Sequence, residues 1–577
     1  MRELTSIRGA LARAAQWSRT RLARIPHRLG RRRTGERALF RLLAWIPDRG
    51  KLGDVKAKIL WSLNDRAGAL RTVRRALALA PRDRSLAAGL ARMEIETGFY
   101  AEAEARLRQA LDDLVADGGT QLLWQLVSLL TYALLHQRKP QDAWALLSSG
   151  PGTRLAADRV RFLQAHVCRY TRRYDQAEDL YTQVLVQKPN DIWALWELAE
   201  LLSLRGKLAE AEAVHLRLVQ ATGDPTFNAR NHCHTLLAQG RVREGWARNM
   251  LRVENSELKK LDGIRVWDGC DLAGRSVFVI VEGGTGDELR DAACYRDLSQ
   301  RAERVTIACD PRLEALLRRS FPHVKTWPAG RAERVSGFNR RLSRLIDEAT
   351  LEEARRHDFC VVSPDLFYFF KPAAEDYGKP SPYLLPDPEL VTHWRERLAA
   401  LGPGAKVGIG WSTIRQSYRT FSYYTKLAEW GPILTIPGTV FVNLQYGDCA
   451  DELAEAEQRF GIRIHRWPDL DLLNDFDSVA ALMAALDLVL APNTTTLELA
   501  GAVGAPAWYM VNEYQTLDHF RLMDPATGQD RCYPSVRIFM AQQPGDSESL
   551  IAQVAAELQR TVGAKARDGT SAVPAPL

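Results

Sequence analysis

Between residues 38 and 253 the apolar positions keep a period of three to four, and the helices they predict recur as pairs. The segments "GFYAEAEARLRQAL" (98–111), "RRYDQAEDLYTQVL" (172–185) and "GKLAEAEAVHLRLV" (206–219) are copies of one pattern. Each puts a small residue where two helices must approach closely. Ala69, Ala103, Ala143, Ala177, Ala211 and Gly245 hold that place, at spacings of 34, 40, 34, 34 and 34 residues, so one copy carries a six-residue insertion. Pro81, Pro189 and Pro225 fall where second helices should stop. About six helix–turn–helix units fit, which predicts an α-solenoid with a concave binding face.

From residue 266 the period changes. "SVFVIV" (276–281) and "RVTIACD" (304–310) read as strands, "DELRDAACYRDLSQRA" (287–302) and "PRLEALLRRSF" (311–321) as helices, and "DFCVVSPDLFYF" (358–369) holds a further strand. This alternation predicts a doubly wound α/β domain. After the joint "ERLAALGPGAK" (396–406) a second set begins, with "KVGIGW" (406–411), "GTVFVNLQ" (438–445), "IRIHRW" (462–467) and the helix "SVAALMAAL" (478–486). It closes on a strand–turn–helix–strand unit, "DLVLAPNTTTLELAGAVGAPAWYM" (487–510). The expected limits are an arm at 1–37, the solenoid at 38–253, a linker at 254–271, α/β domains at 272–400 and 401–565, and a disordered tail at 566–577. Two such domains on one hinge leave a cleft at the carboxyl ends of their strands, where ligands bind in parallel sheets.

Two corners border that cleft. The turn "EGGTGDE" (282–288) follows the first strand, and Gly284 and Gly286 leave backbone N–H groups open to a phosphate or sugar. A third glycine is missing at Leu289, so the turn fails as a dinucleotide fingerprint, which argues against a nicotinamide oxidoreductase. Asp287 is either the cap of the following helix or a carboxylate able to accept a proton. At the second corner Asn493, Thr494, Thr495 and Thr496 precede a helix whose first turn holds Glu498. Hydroxyls, N–H groups and a positive helix end suit a diphosphate, and Glu498 would reach the adjoining ribose. The competing arrangement is a cap in which Thr495 pairs with Glu498. Arg415 and Arg419, in "GWSTIRQSYRTFS" (410–422), would neutralise phosphate if they face the cleft. Asp469-x-Asp471 and Asp475-x-Asp477 resemble a metal motif, but an acidic capping loop without a His/Cys cluster does not support a metal site.

Composition narrows the classes. Hydrophobic content of 46% and charged content of 26% are ordinary for a globular protein of two to four domains, and no apolar run is long enough to span a membrane. No GxxxxGK[ST] is present, which excludes a P-loop NTPase. Eight scattered cysteines without paired spacing point to reduced thiols in the cytoplasm. Eleven arginines against Glu3 and Glu36 give residues 1–37 a charge of +9, so the remainder of a chain of net +8 is close to neutral. The bulk is therefore no nucleic-acid binder. The arm is either a solvated tail or a peripheral contact with an anionic membrane. No apolar stretch follows its charges, which argues against a secretory signal.

Taken in order, "VWDGCDLAGRSVFVIVEGGTGDELRDAACY", "VGIGWS", "VNLQYGD", "DFDSVAALMAALDLVLAPNTTTLELAGAVGAPAW" and "CYPSVRIF" make the chain resemble bacterial tetratricopeptide proteins fused to a glycosyltransferase module. That module is similar to the ADP-heptose:lipopolysaccharide heptosyltransferases, and more distantly the layout is that of O-linked N-acetylglucosamine transferases. The resemblance implies a tetratricopeptide solenoid followed by a GT-B pair of Rossmann-like α/β domains. It implies a metal-independent glycosyltransferase whose substrate is a nucleotide sugar and which needs no cofactor. The solenoid would recruit a protein or glycan acceptor. Asp287 takes the place of the family's catalytic base, and the donor would be held by Gly284, Gly286, Arg415, Arg419, Gln445, Asn493, Thr494, Thr495, Thr496 and Glu498. The family's donor loop has aspartate where Asn493 stands and histidine where Glu498 stands. A carboxylate at 498 is closer to the acid that holds ribose in transferases using UDP- or GDP-sugars. The alternative is a non-catalytic scaffold carrying a degenerate GT-B module.

Overall fold

In the computed structural model the described residues are 48, 50–62, 65–252, 263–336, 339–344, 347–378, 381–414, 420–513, 523–524 and 526–568. The basic arm, half of the expected linker and residues 569–577 lie outside them. Six helix pairs form the amino-terminal part: Gly50–Ser62 with Arg66–Leu79, Arg84–Thr97 with Tyr100–Ala116, Leu123–His136 with Pro140–Ser148, Ala157–Tyr170 with Tyr174–Gln187, Ile192–Leu204 with Leu208–Thr222, and Ala229–Ala238 with Val242–Asn249. Asp65, Asp83 and Asp191 cap their helices by accepting backbone N–H bonds. Ala69, Ala103, Ala143, Ala177 and Ala211 are wholly buried, and a Cβ on Gly245 would stand 2.9 Å from Leu237 Cγ. The six-residue insertion is absorbed by the helix Tyr100–Ala116, 17 residues long against 14 for its counterpart Tyr174–Gln187, and by the turn after it.

Among the described residues twelve strands follow: β1 Ser276–Ile280, β2 Arg304–Cys309, β3 Val324–Pro328, β4 Arg331–Ser336, β5 Asn339–Arg344, β6 Phe359–Val362, β7 Ala405–Ile409, β8 Thr439–Asn443, β9 Ile464–His465, β10 Leu488–Ala491, β11 Ala507–Val511 and β12 Val536–Met540. The first sheet runs β3-β2-β1-β6 and the second β12-β11-β10-β7-β8-β9, every pair parallel. Counted within its own domain, the second sheet has the order 6-5-4-1-2-3, that of a complete dinucleotide-type doubly wound sheet. β4 and β5 form a separate antiparallel hairpin. Strands such as Phe359–Val362 and Leu488–Ala491 are buried along their whole length, as expected when helices cover both faces.

Two expected limits move. Helix Pro388–Ala399 packs on Phe476–Ala485 of the second domain, its Trp394 meeting Trp467 edge-on at 5.0 Å. The preceding segment is pinned there too, as Tyr383 and Leu384 donate their N–H groups to the Ala502 carbonyl at 3.2 and 3.1 Å. The second domain's packing therefore begins before residue 401, and its last helix, Ser547–Asp568, runs past 565. Part of the expected linker is also fixed, because Val266 bridges Cys360 at the edge of the first sheet and Trp267 is buried. Among the described residues no helix is long and apolar enough to cross a membrane.

The solenoid is not a detachable arm. Cys233, Leu237, Val242 and Trp246 of its last pair share one apolar cluster with Val277, Leu289 and Phe367 of the first α/β domain. Trp246 stacks on Phe367 with centroids 4.7 Å apart. Because Ala177 is wholly buried against the neighbouring helices, Ala177→Leu is expected to cost about 1–3 kcal/mol. Thermal unfolding of the variant beside wild type checks this.

Candidate functional site

The two corners singled out in the sequence meet in space. β1 ends at Ile280, and Gly283, at φ +82°, turns the chain into helix Thr285–Asp291. A Cβ at 283 would collide with the Asp287 carboxylate at 2.3 Å, so the turn needs glycine. Asp287 accepts the Gly284 N–H at 2.7 Å and an Arg290 N–H at 2.8 Å, while 41% of its side chain stays exposed. Desolvation opposes its ionisation, but the Arg290 guanidinium and the Gly284 N–H outweigh this and hold its pKa below the usual carboxylate value. Asp287 is thus both a cap and an ionised acceptor at the edge of the cleft.

Opposite stands helix Thr495–Ala502, which follows β10 through Pro492–Thr494. The two helix ends touch: a Cβ on Gly286 would lie 3.3 Å from Glu498 Cγ and 3.5 Å from Thr495 Cα. Thr494 and Thr496 are turned inward, their hydroxyls directed at the carbonyls of Pro492 (3.3 Å) and Leu444 (3.5 Å). Asn493 and Thr495 are half-buried at the rim. Neither expected role of Glu498 matches its position. No side-chain cap forms at this helix, and the carboxylate is 3% exposed, with Oε2 accepting the Tyr533 hydroxyl at 2.5 Å and Oε1 3.7 Å from Arg290. Committed inside the protein, it does not project toward a ribose.

Arg290 is the residue the sequence reading missed. It is 5% exposed, bonded to Asp287 and 3.6 and 3.7 Å from the carboxylates of Asp291 and Glu498. Burial alone would favour a neutral guanidinium; the three acids reverse that and raise its pKa. Asp291 accepts the Ser363 hydroxyl at 2.6 Å, and burial lifts its pKa to about 7, with Arg290 and Ser363 only partly opposing the shift. The signal was the sequence Asp287-Glu-Leu-Arg290-Asp291, charges one turn apart in a helix that must pack on a sheet.

The solenoid reaches the same turn. Glu282 accepts hydrogen bonds from Arg230 and, at 2.8 Å, from Arg252, which is 2% exposed and also pairs with Asp365. On the far side Arg312 donates to Thr285 Oγ1 at 2.8 Å and to the Leu473 carbonyl at 2.7 Å, crossing between the α/β domains.

The other expected positions divide. Gln445 is 5% exposed and structural: its Oε1 accepts the N–H groups of Trp411 and Ser412 at 2.9 and 2.8 Å, fixing the loop after β7. Arg415 and Arg419 lie outside the described residues. The four aspartates at 469–477 have structural partners: Asp469 pairs with Arg397 and Asp477 with Arg319, while Asp471 turns its own loop and Asp475 caps a helix. Among the described residues no His/Cys/Asp/Glu group is arranged to hold a metal ion. A cavity of about 330 Å³ opens at the ends of β8 and β9, between Tyr446 and Trp467.

Residues 171–241 match the tetratricopeptide repeat family, so the chain carries a tetratricopeptide domain followed by parallel-sheet α/β domains. Protein FlbA of Caulobacter vibrioides is 34% identical over 367 residues, an alignment covering 62% of this chain and 59% of that protein. Solved structures that resemble it include YrrB, a TPR protein with an unusual peptide-binding site, at 18% identity over 31% of this chain and 88% of that one, TM-score 0.22. The type IV pilus biogenesis factor PilW matches at 15% identity over 36% and 96% of the two chains, TM-score 0.29. A tetratricopeptide repeat protein from Parabacteroides merdae matches at 17% over 37% and 79%, TM-score 0.30. Scores of this size bear on neither arrangement nor chemistry.

The Asp291 proton gives a direct test of this buried cluster. Unfolded, the group titrates near 4, roughly three units below its folded value of about 7. The stability it supplies is complete below about pH 4 and is lost as pH rises to about 7. Asp291→Asn, neutral throughout, should gain on wild type over that interval and keep a constant difference above it. Urea unfolding across this range checks the slope; a pH-independent difference would contradict it.

Proposed function

We propose that the chain is a GT-B glycosyltransferase that moves a sugar from a nucleotide-sugar donor to an acceptor recruited by the solenoid. The observation that carries the reading is the meeting of the glycine turn and the threonine corner, at the carboxyl edges of two parallel α/β sheets. A cleft there is where such sheets take ligands. Asp287 would take the proton of the acceptor hydroxyl as that oxygen bonds to the anomeric carbon and the bond to the donor phosphate breaks. Its lowered pKa keeps it in the basic, ionised form. The end of helix Thr495–Ala502, with Arg415 and Arg419, would stabilise the departing diphosphate without a metal. The reading requires Gly286 and Thr495 to part and admit the donor. A cytoplasmic protein, with residues 1–37 touching the inner membrane face, fits a substrate pool of nucleotide sugars.

One observation favours a second reading, a scaffold with a degenerate GT-B module: Glu498 is spent on Tyr533 and Arg290 and closes the cleft. Calorimetric titration with UDP-, GDP- and ADP-sugars separates the two, since the transferase binds one of them and the scaffold none. With the donor in hand, Asp287→Asn should lower turnover about 10²- to 10⁴-fold while donor affinity barely moves. Full turnover in this variant would remove Asp287 from the mechanism.

A further inference from the structure

The turn between paired helices recurs in a left-handed conformation at Gly98, Arg138, Arg172, Gly206 and Gly240, with φ of 91°, 59°, 60°, 72° and 76°. Three copies use glycine, which adopts that backbone without steric cost. Two use arginine, which does not, and side chains held in such regions concentrate at functional sites. Arg138 and Arg172 both line a cavity of about 680 Å³ between the solenoid and the second α/β domain.

Neither arginine meets a carboxylate among the described residues. Arg138 lies over the Phe421 ring at 4.4 Å, and Arg172 donates to the Gly545 carbonyl. Their neighbour Arg169 differs, being neutralised by Glu197 at 2.9 Å and Glu200 at 3.6 Å. The facing wall carries Glu429, Glu452 and Glu455 beside Lys426. The chamber thus has a basic wall and a mainly acidic one.

We propose that this chamber seats an extended peptide segment bearing carboxylate side chains, with Arg138 and Arg172 reading the charge. A peptide offers both things the walls ask for: carboxylates to the arginines and backbone N–H donors to the glutamates. A neutral glycan leaves the arginines unanswered, and a nucleic acid brings phosphates against the acidic wall. That this peptide is the acceptor rests on the transferase reading; its binding does not.

The test uses the full chain without nucleotide sugar, so it stands or falls separately from the donor screen. A fluorescein-labelled Gly-Ser-Asp-Ser-Glu-Ser-Gly peptide is titrated by anisotropy, beside its counterpart with Asn and Gln in place of the acids. The acidic peptide should bind in a salt-sensitive way and the amide peptide roughly ten-fold more weakly. Arg138→Gly and Arg172→Gly, which restore the turn residue of the other repeats, should each weaken the acidic peptide by about ten-fold. Their melting temperatures should hold or rise, because glycine relieves the left-handed turn. Equal binding of the two peptides, or glycine variants that bind like wild type, would overturn the proposal. So would glycine variants that melt lower, since the arginines would then be struts that dock the solenoid.

Discussion

One buried guanidinium organises the carboxyl edges of both sheets. Arg290 sits among Asp287, Asp291 and Glu498, and the last of these comes from the other α/β domain. A charge this buried is tolerable only when its partners are held in place, and removing one partner leaves the rest uncompensated. Each acid is indeed fixed by a second group: Asp287 by the Gly284 N–H, Asp291 by Ser363 and Glu498 by Tyr533. Tyr533 leads on to Tyr383, whose hydroxyl reaches the Leu289 carbonyl at 2.9 Å and so returns to the Arg290 helix. The glycine pattern serves the same contact, since Gly286 lets the helix ends touch and a Cβ on Gly501 would strike the Tyr533 ring at 2.4 Å.

The solenoid joins through a parallel device. Arg230 and Arg252 converge on Glu282, whose own N–H is directed at Ser363, the hydroxyl that serves Asp291. A second attachment lies at the far sheet, where Tyr174 donates to Glu513 at 2.7 Å. Repeats, first domain and second domain are therefore linked by side chains converging on the ends of β1 and β10.

Much of this was legible beforehand, for physical reasons. Ala103, Ala177 and Ala211 mark the repeat because a helix crossing tolerates only a small side chain there, and uninterrupted apolar runs such as Leu488–Ala491 mark strands covered on both faces. The small elements were only partly legible: β9, two residues long, lies inside the "IRIHRW" stretch read as part of the second set, but β3, which ends in proline, and the β4–β5 hairpin were not read. Nor was the allegiance of Pro388–Ala399, which is decided by Trp394 meeting a tryptophan from another segment. At the site, residue types pointed to two corners that meet in space, but not to side-chain direction. Glu498 was read as facing a ligand from its place beside the threonine corner, and Gln445 from the family resemblance. Both face inward, since Tyr533 and Arg290 satisfy the one and two backbone N–H groups the other.

On this geometry Arg290 makes the two α/β domains one cooperative unit. Differential scanning calorimetry of wild type and Arg290→Met measures it most directly. The two domains of the wild type should unfold in a single transition. In Arg290→Met, Asp291 and Glu498 lose their shared partner, about 3–5 kcal/mol is lost and the transition splits in two. Separate domain transitions in the wild type, or a single unshifted transition in Arg290→Met, would contradict it.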